Sequence, residues 1–194
     1  MKKAIILLAA SLMIAACSHV PDSKELREKE REALEKIVSD YNDDSSNIKA
    51  EYDESSQCIK MSQKGKTLTI SYKMHFEDLL GDNPSSHSDD FLISMVVIEK
   101  GVNQINSIEI IYDGIKFEAT PFHTEPIGER GLVTAGFSED DEQTRKCLDV
   151  LSIISYPVEA YFHTNKGRFK LPAEDLLCLM SMARSYIIDG GKFE

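Results

Sequence analysis

The sequence contains no tryptophan and has too few basic residues to balance its acidic ones. Seven Tyr and eight Phe are its only large aromatic residues, and most fall at the spacing of a buried face, which disfavours a sugar-stacking site. Lys and Arg number 22 against 33 Asp and Glu, for a net charge of −11. Binding to a nucleic-acid backbone needs a positive stripe, so the composition excludes nucleic acid as the expected partner.

Short catalytic motifs are missing as well. The chain has no G-x-S-x-G, no phosphate-binding loop and no H-E-x-x-H. Its histidines show no metal-binding pattern, and His75 and His163 fall on the polar faces of predicted strands. His163 shares its face with Glu159 and Tyr161, which leaves a zinc site as the less favoured alternative to solvated histidines. We expect no cofactor.

No apolar run is long enough to cross a membrane. The longest, from Ala4 to Ala16, has 13 residues and follows two lysines, whereas a spanning helix needs about 20. A basic start, a short apolar stretch and small residues at its end predict a secretory signal peptide over residues 1–16.

The signal peptide ends at a cysteine. Ile14-Ala15-Ala16-Cys17 resembles the lipobox of bacterial lipoproteins. The resemblance implies cleavage before Cys17 and acylation of that residue with palmitate-like chains, which would bind the protein to a membrane of the bacterial cell envelope. Ser18 resembles the sorting pattern for the outer membrane in enteric bacteria. Residues 17–22 would then form a lipidated tether, and loss of Lys2 and Lys3 would take the net charge from −11 to −13.

Residues 23–194 are predicted to form a single α+β domain. A first amphipathic helix is expected over 23–41, and two more helices follow Ser138 and Pro172, with Ser138 as the cap of the second. Between them lie hairpins, the clearest at Asp113-Gly114. Residues 81–90 are expected to be a loop, and residues 91–100 a central strand buried on both faces. Because hairpins outnumber crossovers, we expect an antiparallel sheet with helices packed on one face.

The segment 40–51 resembles a calcium-binding EF-hand loop. Asp40, Asn42, Asp44 and Glu51 fall at positions 1, 3, 5 and 12 of such a loop. Position 6 is Ser45 instead of the usual Gly, and the segment that follows is predicted to be a strand instead of a helix. We therefore expect an acidic connection from helix to strand that binds no metal. The four residues remain weak candidates for calcium ligands.

Three cysteines remain once Cys17 is assigned to lipid. Cys147 and Cys178 lie at apolar helix positions and are the pair expected if one disulfide forms. The alternative is that Cys58, Cys147 and Cys178 are all buried free thiols.

These features predict a membrane-anchored lipoprotein that acts by protein interaction and is not an enzyme. The acidic segment 138–142 offers a surface to a basic protein partner. Two alternatives stay open. One is an envelope hydrolase whose site is built from scattered residues, and the other is a lipoprotein that binds a small ligand between sheet and helices.

Overall fold

The computed structural model describes residues 23–43, 47–77, 79–82, 85–127, 132–154 and 158–193. Within them lie three helices, α1 (Ser23–Asp43), α2 (Glu142–Ile153) and α3 (Ala173–Ile188). The predicted signal peptide, Cys17, the predicted tether and Asp44 lie outside the described residues. None of the helices in these ranges combines the length and hydropathy that a membrane crossing requires.

Ten strands in the described part of the chain form two antiparallel sheets. The larger has the order β1-β2-β3-β4-β8-β7 and the smaller the order β10-β9-β5-β6. The larger sheet contains β1 (Lys49–Asp53), β2 (Cys58–Lys64), β3 (Leu68–Glu77), β4 (Ser85–Ile98), β7 (His123–Ile127) and β8 (Leu132–Ser138). The smaller contains β5 (Ile105–Tyr112), β6 (Ile115–Ala119), β9 (Glu159–Thr164) and β10 (Gly167–Lys170). The predicted α+β class is confirmed, although the strands are divided between two sheets.

Local sequence explains the best-predicted strands. In β3, Leu68, Ile70, Tyr72 and Met74 are buried while the residues between them are not, as the period of two requires. At the β5–β6 turn, Asp113 and Gly114 have φ values of 50° and 76°. Two successive left-handed residues match the twist of the flanking strands, so this dipeptide fixes the hairpin register.

Helices α2 and α3 pack against each other and cover the inner face of the larger sheet, and α2 also packs on β6. Apolar side chains from both sheets and from these helices form one continuous core. Helix α1 packs beside β1 through its second half, where Leu34 is buried and Ile37, Val38 and Tyr41 are partly buried. Its first half projects beyond the core, with Leu26 37% exposed.

A buried carboxylate joins three elements of the core. Asp189, at the end of α3 and only 6% exposed, accepts hydrogen bonds from the hydroxyls of Tyr72 in β3 at 2.6 Å and Tyr41 in α1 at 2.7 Å. Burial, with the nearby charge of Asp189 in second place, raises the pKa of both tyrosines, so each hydroxyl keeps its proton and donates. This contact holds α1 to the body of the domain.

A second buried carboxylate holds the β2–β3 turn. Asp175, in the first turn of α3, accepts from the backbone N–H of Thr67 at 3.0 Å and of Leu68 at 3.2 Å, and from the Thr67 hydroxyl at 2.5 Å. A Cβ on Gly65 would lie 2.2 Å from the same carboxylate, so only glycine fits there. The close approach of turn and helix therefore depends on this pair of residues.

Several boundaries differ from those expected. The strand β4 begins at Ser85, inside the predicted loop, because residues 85–89 pair with the end of β3. Helix α2 begins at Glu142 and is capped by Asp141, which accepts from the Thr144 N–H at 2.8 Å, so the predicted cap at Ser138 is wrong. Ser138 instead ends β8. Strands β1 and β7 were not expected, since both are short and rich in polar residues.

Removing the Tyr72 hydroxyl should lower the free energy of unfolding. Tyr72→Phe deprives a buried carboxylate of a donor, and we expect a loss of roughly 1–3 kcal/mol. Tyr41→Phe should cost less, because Tyr41 is only partly buried. Tyr52→Phe is the matched control, since its hydroxyl makes no hydrogen bond in the described ranges. Urea unfolding monitored by circular dichroism measures all three, and equal stabilities for Tyr72→Phe and Tyr52→Phe would contradict this role for Asp189.

Candidate functional site: an uncovered sheet face

The interior of the domain is closed. Between the two sheets and helices α2 and α3 lies a cavity of about 10 Å³, lined by apolar side chains such as Ile93, Ile110, Leu148 and Leu179. That is about the space of one water molecule, whereas small-ligand pockets have roughly 300–1,000 Å³. This cavity between the two sheets and helices α2 and α3 is therefore too small to hold a small-molecule ligand.

The outer face of the larger sheet carries apolar side chains that nothing covers within the described ranges. In β4 the core-facing residues are buried, but the alternate residues Leu92, Val96 and Ile98 are 39%, 41% and 73% exposed. Both faces of this strand were expected to be buried, and that expectation is wrong for the outer face.

The neighbouring strands extend this surface. By its pairing, Ile98 lies opposite Leu132 of β8, and Leu132 lies opposite Ile127 of the edge strand β7. Phe122, which is 67% exposed, places its ring over Gly136, because a Cβ on Gly136 would lie 2.7 Å from the Phe122 Cζ. We call this surface the open face and define it by six residues: Leu92, Val96, Ile98, Phe122, Ile127 and Leu132.

The open face has few charged residues. The side chains between its apolar residues include Ser94 and Thr134, while the His123 imidazole lies 3.3 Å from the Glu125 carboxylate on β7. Three strands of about seven residues give a face of roughly 14 by 23 Å, about 320 Å², which includes the polar side chains between the apolar ones. This is smaller than the roughly 800 Å² per partner of a standard interface, so the face would form only the centre of one.

An apolar centre depleted of charge is typical of the middle of a protein–protein interface. The six residues that define the open face carry no ionisable or nucleophilic group, whereas His123 and Glu125 lie beside them on β7. The surface is therefore suited to binding through its apolar residues. The sequence signal for it was the apolar character of both faces of β4, which indicates either burial on both sides or an uncovered surface. Sequence alone did not distinguish the two.

The densest cluster of ionisable groups lies on the smaller sheet. Glu109 of β5 has a side chain only 4% exposed and contacts Lys116 at 2.5 Å, His163 at 3.2 Å and Arg168. Burial alone would raise the pKa of this carboxyl, but the hydrogen bonds from Lys116 and Arg168 outweigh it and lower the pKa.

The polar groups of this cluster have their hydrogen-bond partners within the smaller sheet. Ser107, opposite His163, donates its hydroxyl to Glu118 at 2.6 Å and is 2% exposed, so it is not placed as a nucleophile. The guanidinium of Arg168 stacks 3.4 Å from the ring centroid of Tyr161 and covers the sheet beside Glu109. Glu159, Tyr161 and His163 share one face of β9, as the alternation predicts. The Glu159 carboxylate accepts from the Tyr161 hydroxyl at 2.9 Å, and the carboxylate in contact with His163 is Glu109.

The candidate calcium residues do not converge in the described ranges. The Asn42 side chain makes two hydrogen bonds to the backbone of Ala50: it donates to the carbonyl and accepts from the N–H, both at 2.9 Å. Its amide oxygen is thus already used to join α1 to β1. Asp40 and Glu51 are exposed, and no group of three or more His, Cys, Asp or Glu in the described residues could hold a metal ion. The rings of His75 in β3 and His87 in β4 stack with their centroids 5.1 Å apart.

The three cysteines outside the lipobox are buried free thiols in the structure. Burial, aided by the charge of Asp141, raises the pKa of the Cys147 thiol to about 12, and burial likewise raises the pKa of Cys178. Both thiols are therefore protonated and unreactive at neutral pH. The Cys147–Cys178 disulfide stays a prediction.

The chain matches no model of a known protein family, no curated protein and no solved structure.

Thiol counting separates the two expectations for the cysteines. In a Cys17→Ser chain purified without reductant, we expect slow reaction of Cys147 and Cys178 with Ellman's reagent at pH 8 while the protein is folded. Three thiols per chain should react once it is unfolded in guanidinium. One reactive thiol after unfolding, rising to three only after reduction, would show instead that a disulfide forms.

Proposed function

We propose that this protein is a lipid-anchored interaction protein of the bacterial cell envelope, without enzymatic activity of its own. The single observation that carries the proposal is the open face, an uncharged apolar surface on a domain whose core is closed. An interface centred on this face would bury its large apolar side chains, and the burial of each one would contribute about 1.5–3 kcal/mol to the binding free energy if it were complete.

The lipobox resemblance supports the membrane anchor. Residues 17–22 would join the acylated Cys17 to α1, which begins at Ser23. An extended chain covers at most about 3.5 Å per residue, so the helix would start within about 20 Å of the bilayer. A partner bound to the same outer membrane, or in the periplasm beside it, would be within reach of the open face.

The acidic segment 138–142 is a weaker candidate for binding a basic partner than its sequence suggests. Asp141 caps α2, and Glu139 is half-buried with a pKa raised by that burial. Glu142 pairs with Lys146 at 2.6 Å. Since most of these carboxylates are engaged within the domain, we place the partner surface on the open face and not on this segment.

Replacing Cys17 tests the anchor. Cys17→Ser cannot accept a diacylglycerol on sulfur, so we expect no incorporation of labelled palmitate and the accumulation of an unprocessed precursor. Metabolic labelling followed by immunoprecipitation measures both, with Cys58→Ser as the matched control that should label like the parent protein. Equal label in Cys17→Ser would contradict the lipoprotein assignment.

Crosslinking tests the open face. A photoreactive amino acid in place of Ile98 should give a discrete crosslinked adduct in intact cells, whereas the same group in place of Ile153, an equally exposed isoleucine on α2, should not. Adding Phe122→Ser should reduce the Ile98 adduct about tenfold or more, because it removes a large apolar contact. Stability should change by no more than about 0.5 kcal/mol, since Phe122 is exposed.

Adducts of equal yield at positions 98 and 153, or an adduct at 98 that Phe122→Ser leaves unchanged, would contradict the proposed use of the open face.

A further inference from the structure

A groove separates the first half of α1 from the larger sheet. It encloses about 490 Å³ and is open to solvent along one side. Its apolar lining comes from Leu34 of α1, Tyr52 of β1, Phe76 of β3 and Leu79, which follows β3. The groove exists because only the second half of α1 packs closely on β1. We call it the helix groove.

The charges around the helix groove are balanced. Three cations line it, Lys24, Arg27 and Arg31, together with three carboxylates, Glu28, Glu30 and Glu54. Arg31 also lies 3.5 Å from Glu35. Lys24 and Arg27 form no ion pair among the described residues, and they lie three residues apart, which places them on the same side of α1.

The position of the helix groove relative to the membrane follows from the tether. Lys24 is the second residue of α1, and Cys17 lies six residues before Ser23. If Cys17 is acylated, as the proposed function holds, the end of the groove near Lys24 is within about 20 Å of the bilayer. The molecules at highest concentration at that distance are the lipids of the anchoring membrane.

We propose that the helix groove binds a phospholipid with a zwitterionic phosphoethanolamine headgroup. Lys24 and Arg27 are free to contact the phosphate, for which both side chains are suited. The carboxylates Glu28, Glu30 and Glu54 complement the ammonium group. The glycerol and the first carbons of the acyl chains lie against Tyr52, Phe76 and Leu79. An anionic lipid fits less well, because three carboxylates and the acidic body would repel it.

A short-chain photoreactive lipid tests the proposal. The probe is dihexanoyl phosphatidylethanolamine with a diazirine on one acyl chain, added below its critical micelle concentration to full-length protein purified from membranes. We expect saturable labelling of peptides that contain Phe76 and Leu79. Labelling should fall at least fivefold in Lys24→Gln/Arg27→Gln, and a phosphatidylglycerol probe should label the same peptides at least fivefold less.

The matched control is Lys29→Gln/Lys36→Gln, which removes the same charge from the opposite side of α1 and should label like the parent protein. Labelling that avoids the groove peptides, that falls equally in both double variants, or that is as strong with phosphatidylglycerol would overturn the proposal.

The intact mass of the same preparation reports acylation of Cys17. Labelled groove peptides in a protein without acyl chains would refute the anchor and keep the lipid site, whereas an acylated protein without groove labelling would refute the lipid site and keep the anchor.

Discussion

The arrangement of the domain depends on the buried carboxylate of Asp189. It accepts from Tyr72 in the centre of the larger sheet and from Tyr41 in α1, and its backbone carbonyl accepts from the Ser88 hydroxyl at 3.0 Å. A buried carboxylate without donors would be costly, so the sheet and both helices must meet at this point. The position of α1, and with it the helix groove, follows from that requirement.

In the described residues only one face of the larger sheet is covered, so the other face stays exposed. Helices α2 and α3 and the smaller sheet bury the inner face, and the described chain contains no layer for the outer face. Antiparallel sheets commonly leave one face to solvent, but that face is then usually polar. Here Leu92, Val96 and Ile98 keep it apolar along β4, which is why we assign a binding role to it.

Sequence patterns predicted the fold class and the elements with strong local signals. The alternation in β3 and the Asp113-Gly114 turn are properties of neighbouring residues, so they can be recognised without the tertiary structure. The paired strand at Ser85 and the edge strand β7 depend on long-range partners, and their polar sequences gave no local signal. The open face needed the same long-range information, because the sequence of β4 does not tell whether a second layer covers it.

The helix groove was not predictable for a related reason. Lys24, Arg27 and Glu28 appeared as the solvated face of an amphipathic helix, and only the packing of α1 on β1 brings them near Tyr52 and Phe76. The fold brings these residues together from distant parts of the chain, and their residue types alone did not predict the groove.

The central claim is that a protein partner covers the open face, and maleimide labelling of that face in the native membrane tests it most directly. Ser94→Cys places a thiol in the middle of the face, and Asp149→Cys places one on the exposed side of α2. If a protein partner covers the open face, a membrane-impermeant maleimide should label both variants when they are purified. In isolated envelopes it should label Asp149→Cys but leave Ser94→Cys largely protected. Equal labelling of the two variants in envelopes would contradict the account.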